Sequence, residues 1–169
     1  MTGSGEARAV VGAETGEERP AEVAAAGQGE RRTVVDFDGR AKAYRPLTPP
    51  ERTAAVITGL RAYAVGDFFE AHELMEPAWM GTDDPAERDL IQGLIKVAAA
   101  DVHAVRGNPR GVARNLEGAR DRLRRVPGGH AIPELDIDLP ELLTAIDRRL
   151  ADLAANRPTD PLAITWSRR

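Results

Sequence analysis

The sequence predicts an all-α protein: a compact five-helix bundle with a central apolar third helix, a disordered N-terminal tail and a short C-terminal tail. The punctuation of the sequence favours this fold class. After Thr48, a capping residue followed by apolar residues at three- and four-residue spacing occurs five times, and glycine or proline interrupts the pattern each time. The 169 residues also include no cysteine, which excludes disulfide scaffolds, thiolate metal sites and cysteine nucleophiles.

Composition divides the chain into three parts. Residues 1–45 are rich in Gly, Ala, Glu and Arg and lack apolar periodicity, so we expect a flexible or disordered tail. Within it, residues 33–37 read as a short extended piece that is too isolated to make a sheet. Residues 46–156 hold the helical domain. Residues 157–169 form a C-terminal tail, in which Ile164 and Trp166 are able to dock on the body.

The charge balance limits the partners. There are 27 acidic against 23 basic residues, a net charge of −4, whereas a general nucleic-acid-binding domain is basic. The N-terminus lacks the apolar centre of a signal peptide, and no apolar run is as long as a membrane span, so we expect a cytoplasmic protein without a membrane partner. Nucleic acid is disfavoured, and a protein partner or a homo-oligomer stays open.

The first two helices are bounded by residues with known capping roles. Thr48-Pro49-Pro50-Glu51 has the pattern of a capping box with prolines in the first turn, and Gly66 ends that helix. Asp67 begins a second helix that runs through Met80 to Gly81. Pro77 lies inside this helix and predicts either a kink or, as the favoured interpretation, a looser last turn before Gly81.

The third helix begins after Asp84 and runs to about Arg106. Its apolar residues cover more than half of its circumference, which predicts a central, mostly surrounded element. A fourth helix follows Asn108 and ends before Pro127, and a fifth follows Asp138. We predict no pair of strands anywhere in the chain.

The second helix places polar residues where apolar ones are expected. On a helical wheel, His72 and Glu76 lie one turn apart on the same face as Phe69 and Trp79, with Glu73 at its edge. A histidine and a carboxylate among aromatic side chains must be paired, because desolvation costs several kcal/mol otherwise. This is the most informative feature of the sequence.

The third helix offers partners for this cluster. Gln92, Lys96 and His103 form one stripe beside its apolar arc. If the two helices pack side by side, both imidazoles and the carboxylates share one pocket. The residues predicted to line it are Phe69, Trp79, Gln92 and Lys96.

The leading interpretation of this cluster is structural. A buried hydrogen-bonded network of His72, Glu76 and His103 would hold together a non-catalytic module, either structural or partner-binding. Substitution of His72 by alanine would then cost about 2–4 kcal/mol of stability. No cofactor is predicted.

Two enzymatic alternatives use the same residues. The first is a divalent metal, zinc, iron or manganese, held by His72, Glu73, Glu76 and His103. The second is acid–base catalysis on a small molecule by His72, Glu76 and His103, with the carboxylate orienting a neutral imidazole. Lys96 on the same stripe would repel a cation.

The fourth helix is basic. Seven arginines lie between Arg106 and Val126, against Glu117 and Asp121. Binding of RNA or phosphate through Arg110, Arg114 and Arg120 is therefore a third alternative, although aromatic residues for base stacking are missing from this stretch. A solvated face is favoured, with Asp121 pairing Arg124 and Arg125. His130, in the following loop, is expected to be exposed without a partner.

Two separate signatures resemble a known family. The matching residues are Gly66-Asp67-Phe68-Phe69-Glu70-Ala71-His72-Glu73 with Glu76 and Trp79, then Gln92-Gly93-Leu94-Ile95, His103, Gly107-Asn108, Gly111 and Leu116. They resemble the bacterial and archaeal family catalogued as domain of unknown function 309, over about residues 58–123. The resemblance implies a compact all-α domain and no established activity. It places the family signature on Glu70, His72, Glu73, Glu76, Trp79, Gln92, His103 and Asn108. Lys96 and Pro77 depart from the pattern.

Overall fold

A computed structural model describes residues 46–169 and two short strands that precede them. The strands are β1 (Thr33–Val35) and β2 (Ala41–Ala43). The helices are α1 (Pro49–Ala64), α2 (Phe68–Met80), α3 (Pro85–Val105), α4 (Pro109–Leu123) and α5 (Leu139–Ala154). Two further strands are β3 (Leu135–Ile137) and β4 (Trp166–Arg168). The all-α bundle predicted from the sequence is confirmed.

The helices begin where the capping residues predict. In α2, α3, α4 and α5 the side chain of the capping Asp or Asn accepts a hydrogen bond from the backbone N–H three residues later, at 2.7–3.2 Å. In α1 the Glu51 carboxylate accepts from the Thr48 backbone N–H at 2.8 Å. Helix α2 continues through Pro77 to Met80.

Three helices end in the same way. The N–H of Asp67, Asn108 and Arg157 each bonds the carbonyl five residues earlier, at 3.0, 3.0 and 2.8 Å. The residue before each of them has a positive φ: Gly66 at 84°, Gly107 at 66° and Asn156 at 52°. Because glycine adopts this conformation without strain, two of these tight reversals are encoded directly by the sequence.

Consecutive helices pack on each other from α1 to α5, and α3 lies between α2 and α4. Ten of the 21 residues of α3 are buried, including Leu90, Ile91 and Leu94. Helices α1 and α2 approach closely at Gly59, where a Cβ would lie 3.1 Å from the Ala71 carbonyl oxygen. The central position predicted for α3 follows from this apolar circumference.

Two strand pairs correct the expectation that the chain forms none. Strand β1 pairs with β2 in antiparallel register, so the extended piece at Thr33 does have a partner. Strand β3 precedes α5 in the sequence and pairs with β4, which follows α5. Ile137 lies opposite Trp166, and Leu135 lies opposite Arg168. These strands are three residues long, and that is too short for the alternating pattern from which strands are predicted.

The C-terminal residues dock on the helices. Leu162 is buried, Ile164 and Trp166 pack against the core, and β4 extends the contact to β3. The disorder expected for the N-terminal tail falls on residues outside the described ones, except where β1 and β2 form a strand pair. In the described part of the chain, every helix is too short or too polar to cross a membrane.

Candidate functional site

The buried face of α2 is not the aromatic face. Its buried residues are Ala71, Met75 and Ala78, which pack where α1 comes close at Gly59. The prediction takes the face of Phe69 and Trp79 as the inward one, but the small alanines allow the closest approach of two helix backbones. Phe69 is therefore 57% exposed, and the predicted aromatic lining turns partly outward.

His72 lies at the edge of this face with 31% of its side chain exposed. Its Nδ1 is 3.1 Å from the Oε1 of Glu73, whose side chain is 47% exposed. Glu76 and Trp79 are partly buried, and the guanidinium of Arg88 lies 5.8 Å from the Trp79 ring centroid. The His72–Glu73 contact is thus a surface pair of neighbours in sequence.

His103 and Lys96 are directed to α4. The Nδ1 of His103 lies 3.2 Å from the Nδ2 of Asn108, and a Cβ at Gly111 would be 2.5 Å from the imidazole. The end of the Lys96 side chain borders Gly118 in the same way. The polar stripe on α3, of which Gln92 is also a partly buried member, therefore packs beside α4.

These positions do not confirm the expected buried His/Glu cluster. Both His72 and His103 are only partly buried, and each has a separate partner, on α2 and at the start of α4 respectively. Residues 46–169 contain no group of three His, Asp or Glu side chains arranged to hold a metal ion. Helices α2 and α3 do pack against each other, as predicted, but this packing does not bring His72 and His103 together.

The charged residues that are buried lie elsewhere. Tyr63, Asp101 and Arg149 are 5%, 0% and 3% exposed, and they connect α1, α3 and α5. The Tyr63 hydroxyl donates to Asp101 Oδ2 at 2.6 Å, and Arg149 Nη1 lies 2.7 Å from Asp101 Oδ1. Arg149 Nε reaches Thr159 Oγ1 at 3.3 Å, which ties the C-terminal residues to this group. We call these four residues the interior polar group.

The charged groups of Asp101 and Arg149 lie close together, but their angles are not those of a hydrogen bond. Within the described residues, Asp101 Oδ1 and both terminal nitrogens of Arg149 lack a hydrogen bond of good geometry. Burial raises the pKa of the Tyr63 hydroxyl well above its usual range, and the charge of Asp101 and its hydrogen bond raise that pKa further. Arg149 acts in the opposite direction. Tyr63 is therefore a proton donor to Asp101 over the whole neutral range.

A second buried carboxylate holds the opposite end of the bundle. Glu87 is 2% exposed and accepts from Arg52 Nε and from Thr82 Oγ1, both at 2.7 Å. Arg52 also donates to the carbonyl of Leu47 at 2.5 Å. Both carboxylate oxygens of Glu87 thus accept a hydrogen bond from the protein. The contact with Arg52 joins the start of α1 to the start of α3.

Sequence reasoning missed both groups, although the signal was present. On the wheel of α3, Asp101 and Glu87 share the apolar arc of Leu94 and Ala98. On α5, Arg149 lies between Leu142, Ile146 and Leu153 at helical spacing. The criterion applied to α2, a polar residue on an apolar face, would have found them.

The large apolar side chains that remain exposed in the described part lie at one end of the bundle. They are Val65 at 82%, Phe69 at 57% and Val105 at 78%. Val65 follows Tyr63 by two residues, and Val105 lies one turn beyond Asp101, so the Tyr63–Asp101 hydrogen bond fixes both at the same end. Phe69 begins α2 at the turn after Val65. We call these three residues the apolar end.

A shallow groove adjoins the apolar end. It has a volume of about 370 Å³, and its walls are the end of α1, the start of α2 and the C-terminal residues 161–164. Tyr63 and Phe68 line it, and their rings lie 5.2 Å apart between centroids. Leu162 and Ile164 form the opposite wall.

The arginines of α4 are divided between ion pairs and solvent. Arg120 and Arg124 both reach Asp147 of α5, at 3.3 and 3.2 Å, and Arg122 reaches Asp89 of α3 at 2.9 Å. These arginines therefore pair with acids of neighbouring helices and not with Asp121, as was expected. Such pairs cannot be predicted from residue spacing within α4. Arg110 and Arg114 are exposed.

His130 corrects a smaller expectation. Its side chain is 61% exposed, as predicted, but its Nδ1 lies 3.0 Å from Asp136 Oδ1 on β3. The loop that carries it packs against this strand, since the Ile137 N–H donates to the Gly129 carbonyl at 3.1 Å.

A comparison with models of protein families matches the central part of the chain. The family model described as Domain of unknown function (DUF309) matches residues 56–115, from the middle of α1 to the second turn of α4. This confirms the family resemblance of the two signatures. Neither the curated proteins nor the solved structures contain a significant match to the chain.

Proposed function

We propose that this domain is a non-catalytic helical module that binds a protein partner on its apolar end. The observation that carries the proposal is the location of Val65, Phe69 and Val105, which share one end of the bundle at 57–82% exposure. Single exposed apolar residues are ordinary, but several large ones at one place are typical of interaction sites. Aromatic residues such as Phe69 are enriched at the centres of interfaces.

The surroundings of the apolar end support a preformed surface. Beneath it, the hydrogen bond from Tyr63 to Asp101 joins α1 to α3, and Arg149 joins α5 to the same carboxylate. A surface held by buried polar contacts loses little conformational entropy on binding, which favours affinity. The family match at residues 56–115 includes all three residues of the apolar end.

The experiment is cross-linking from defined positions in the cells that make the protein. A photoreactive residue replaces Phe69 or Val105 in the full chain, and matched controls carry it at the exposed positions Glu141 and Arg148 of α5. We expect one discrete protein adduct, the same from both test positions, and none from the controls. Equal adducts from all four positions, or none from the apolar end, would contradict the proposal.

A second measurement separates binding from folding. Because Phe69 is more than half exposed, Phe69→Ser is expected to leave the free energy of unfolding within about 0.5 kcal/mol of wild type. The adduct formed from position 105 should nevertheless be lost in this variant, and Phe69→Leu should retain it.

A further inference from the structure

We propose that the partner on the apolar end is a second copy of this chain, arranged about a two-fold axis. This inference rests on the proposed function and names its partner. The charges around Val65, Phe69 and Val105 favour this partner, because their sign differs between the two sides of α3.

The acidic edge lies on the first turns of α2. Asp67, Glu70 and Glu73 are exposed there, one of them beside Phe69 in sequence. Asp67 caps the helix and Glu73 contacts His72, so these carboxylates have local partners but no arginine or lysine among the ion pairs of residues 46–169.

The basic edge lies at the turn from α3 to α4. Arg106, Arg110 and Arg114 are exposed there, and within the described part of the chain none of the three forms an ion pair. Helix α3 packs against both α2 and α4, so the acidic and basic edges flank Val105 from different sides. The apolar end is thus bordered by three acids on one side and three arginines on the other.

Such a surface is complementary to itself. In a two-fold dimer each patch meets the same patch of the other protomer in reversed orientation. The acidic edge of one chain then faces the basic edge of its partner, twice, with the valines and Phe69 at the centre. Rim charges set orientation and encounter rate more than affinity, and the apolar centre is small. We therefore expect weak and reversible dimerisation.

The test is sedimentation velocity of the full chain over about 1–300 μM at low ionic strength. We expect concentration-dependent dimerisation that weakens with salt, because the edge charges are exposed to solvent. The charge reversals E70K/E73K and R110E/R114E should each weaken self-association at least tenfold, since each variant carries two edges of like sign. An equimolar mixture of the two variants should dimerise again, because its edges are once more complementary.

Matched controls separate this effect from a general change of charge. Glu141 occupies the same position in α5 as Glu70 in α2, third after a capping aspartate, and is exposed. Arg125 is an exposed arginine just beyond the far end of α4. Glu141→Lys and Arg125→Glu should leave dimerisation unchanged.

Three outcomes would overturn the inference. They are a monomer at every concentration, a dimer insensitive to both reversals, and a mixture that stays monomeric. A monomer that still forms a discrete adduct with another protein from Phe69 overturns only the second copy as partner and leaves the proposed function standing. A dimer that persists in Phe69→Ser locates self-association elsewhere and likewise overturns only the second copy as the partner of the apolar end.

Discussion

The interior polar group and the His72–Glu73 pair are built from similar residue types but differ in burial. Asp101 is fully buried and Arg149 is 3% exposed, whereas His72 and Glu73 are 31% and 47% exposed. The first joins α1, α3 and α5, and the second lies within one turn of α2. The difference teaches that a polar residue on an apolar helix is informative only once the buried face is known.

Burial sets the energetic consequence of each assembly. A charge without water depends on its partner, so removing one member of a buried pair leaves the other uncompensated. A pair that is one-third to one-half exposed is solvated and screened, and such pairs contribute about 0–1 kcal/mol. Three substitutions test this contrast, in order of decreasing effect.

The largest effect is expected at Arg149. Arg149→Met leaves the Asp101 carboxylate buried with the Tyr63 hydroxyl as its remaining partner and breaks the contact to Thr159. We expect a loss of about 3–5 kcal/mol in the free energy of unfolding, measured by urea denaturation. The neighbouring Arg148 is exposed, so Arg148→Met is the matched control and should cost less than about 0.5 kcal/mol.

A double variant sharpens this result. In Asp101→Leu with Arg149→Met both charges are absent, so stability should exceed that of the single Arg149→Met variant. If the single variant loses less than about 1 kcal/mol, the buried pair is energetically equivalent to a surface pair and the contrast with His72–Glu73 disappears.

The second effect is expected at Tyr63. Tyr63→Phe removes the donor to Asp101 Oδ2 and should cost about 1.5–3 kcal/mol, typical of a hydrogen bond to a charged group. Thr144→Val is the control, because it removes an exposed hydroxyl that donates to the Pro140 carbonyl within α5. Equal losses in the two variants would mean that burial adds nothing to the bond of Tyr63.

The same residue gives a pH dependence of defined sign. Folding raises the pKa of Tyr63 above its ordinary value of 10.0, so the unfolded chain loses this proton first as pH rises. The stability from the retained proton is complete below pH 10 and is lost above it, by up to about 1.4 kcal/mol per pH unit. Wild type should lose more stability than Tyr63→Phe between pH 9 and 11 in urea titrations, and parallel curves would contradict this.

The sequence predicts the helices well because the residues that begin and end each helix are close together in the sequence. Asp67, Asp84, Asn108 and Asp138 each bond the backbone three residues on, and such bonds depend only on neighbouring residues. The pairing of β3 with β4 depends on residues 29 to 33 positions apart, and three-residue strands carry little pattern of their own.

The site was less predictable for a related reason. The wheel gives the angles of His72 and Phe69 correctly relative to each other, but it does not say which angle points inward. Ala71 and Ala78 determine that direction, because close helix contact favours the smallest side chains. Arg149, on the apolar face of α5, was identifiable by spacing alone, but its partner Asp101 lies 48 positions away.

The smallest effect is expected at His72, and it tests the contrast most directly. A buried network predicts a loss of about 2–4 kcal/mol for His72→Ala, whereas a partly exposed ring paired with Glu73 predicts less than about 1 kcal/mol. Urea denaturation at pH 7 distinguishes the two, with Glu73→Gln as the control that removes only the charge of the partner. A loss above 2 kcal/mol would mean that His72 has an interior role, and the orientation of α2 would then differ from the one described. A loss below about 1 kcal/mol would mean that His72 and Glu73 are not needed for folding, which is consistent with their place on the surface beside Phe69.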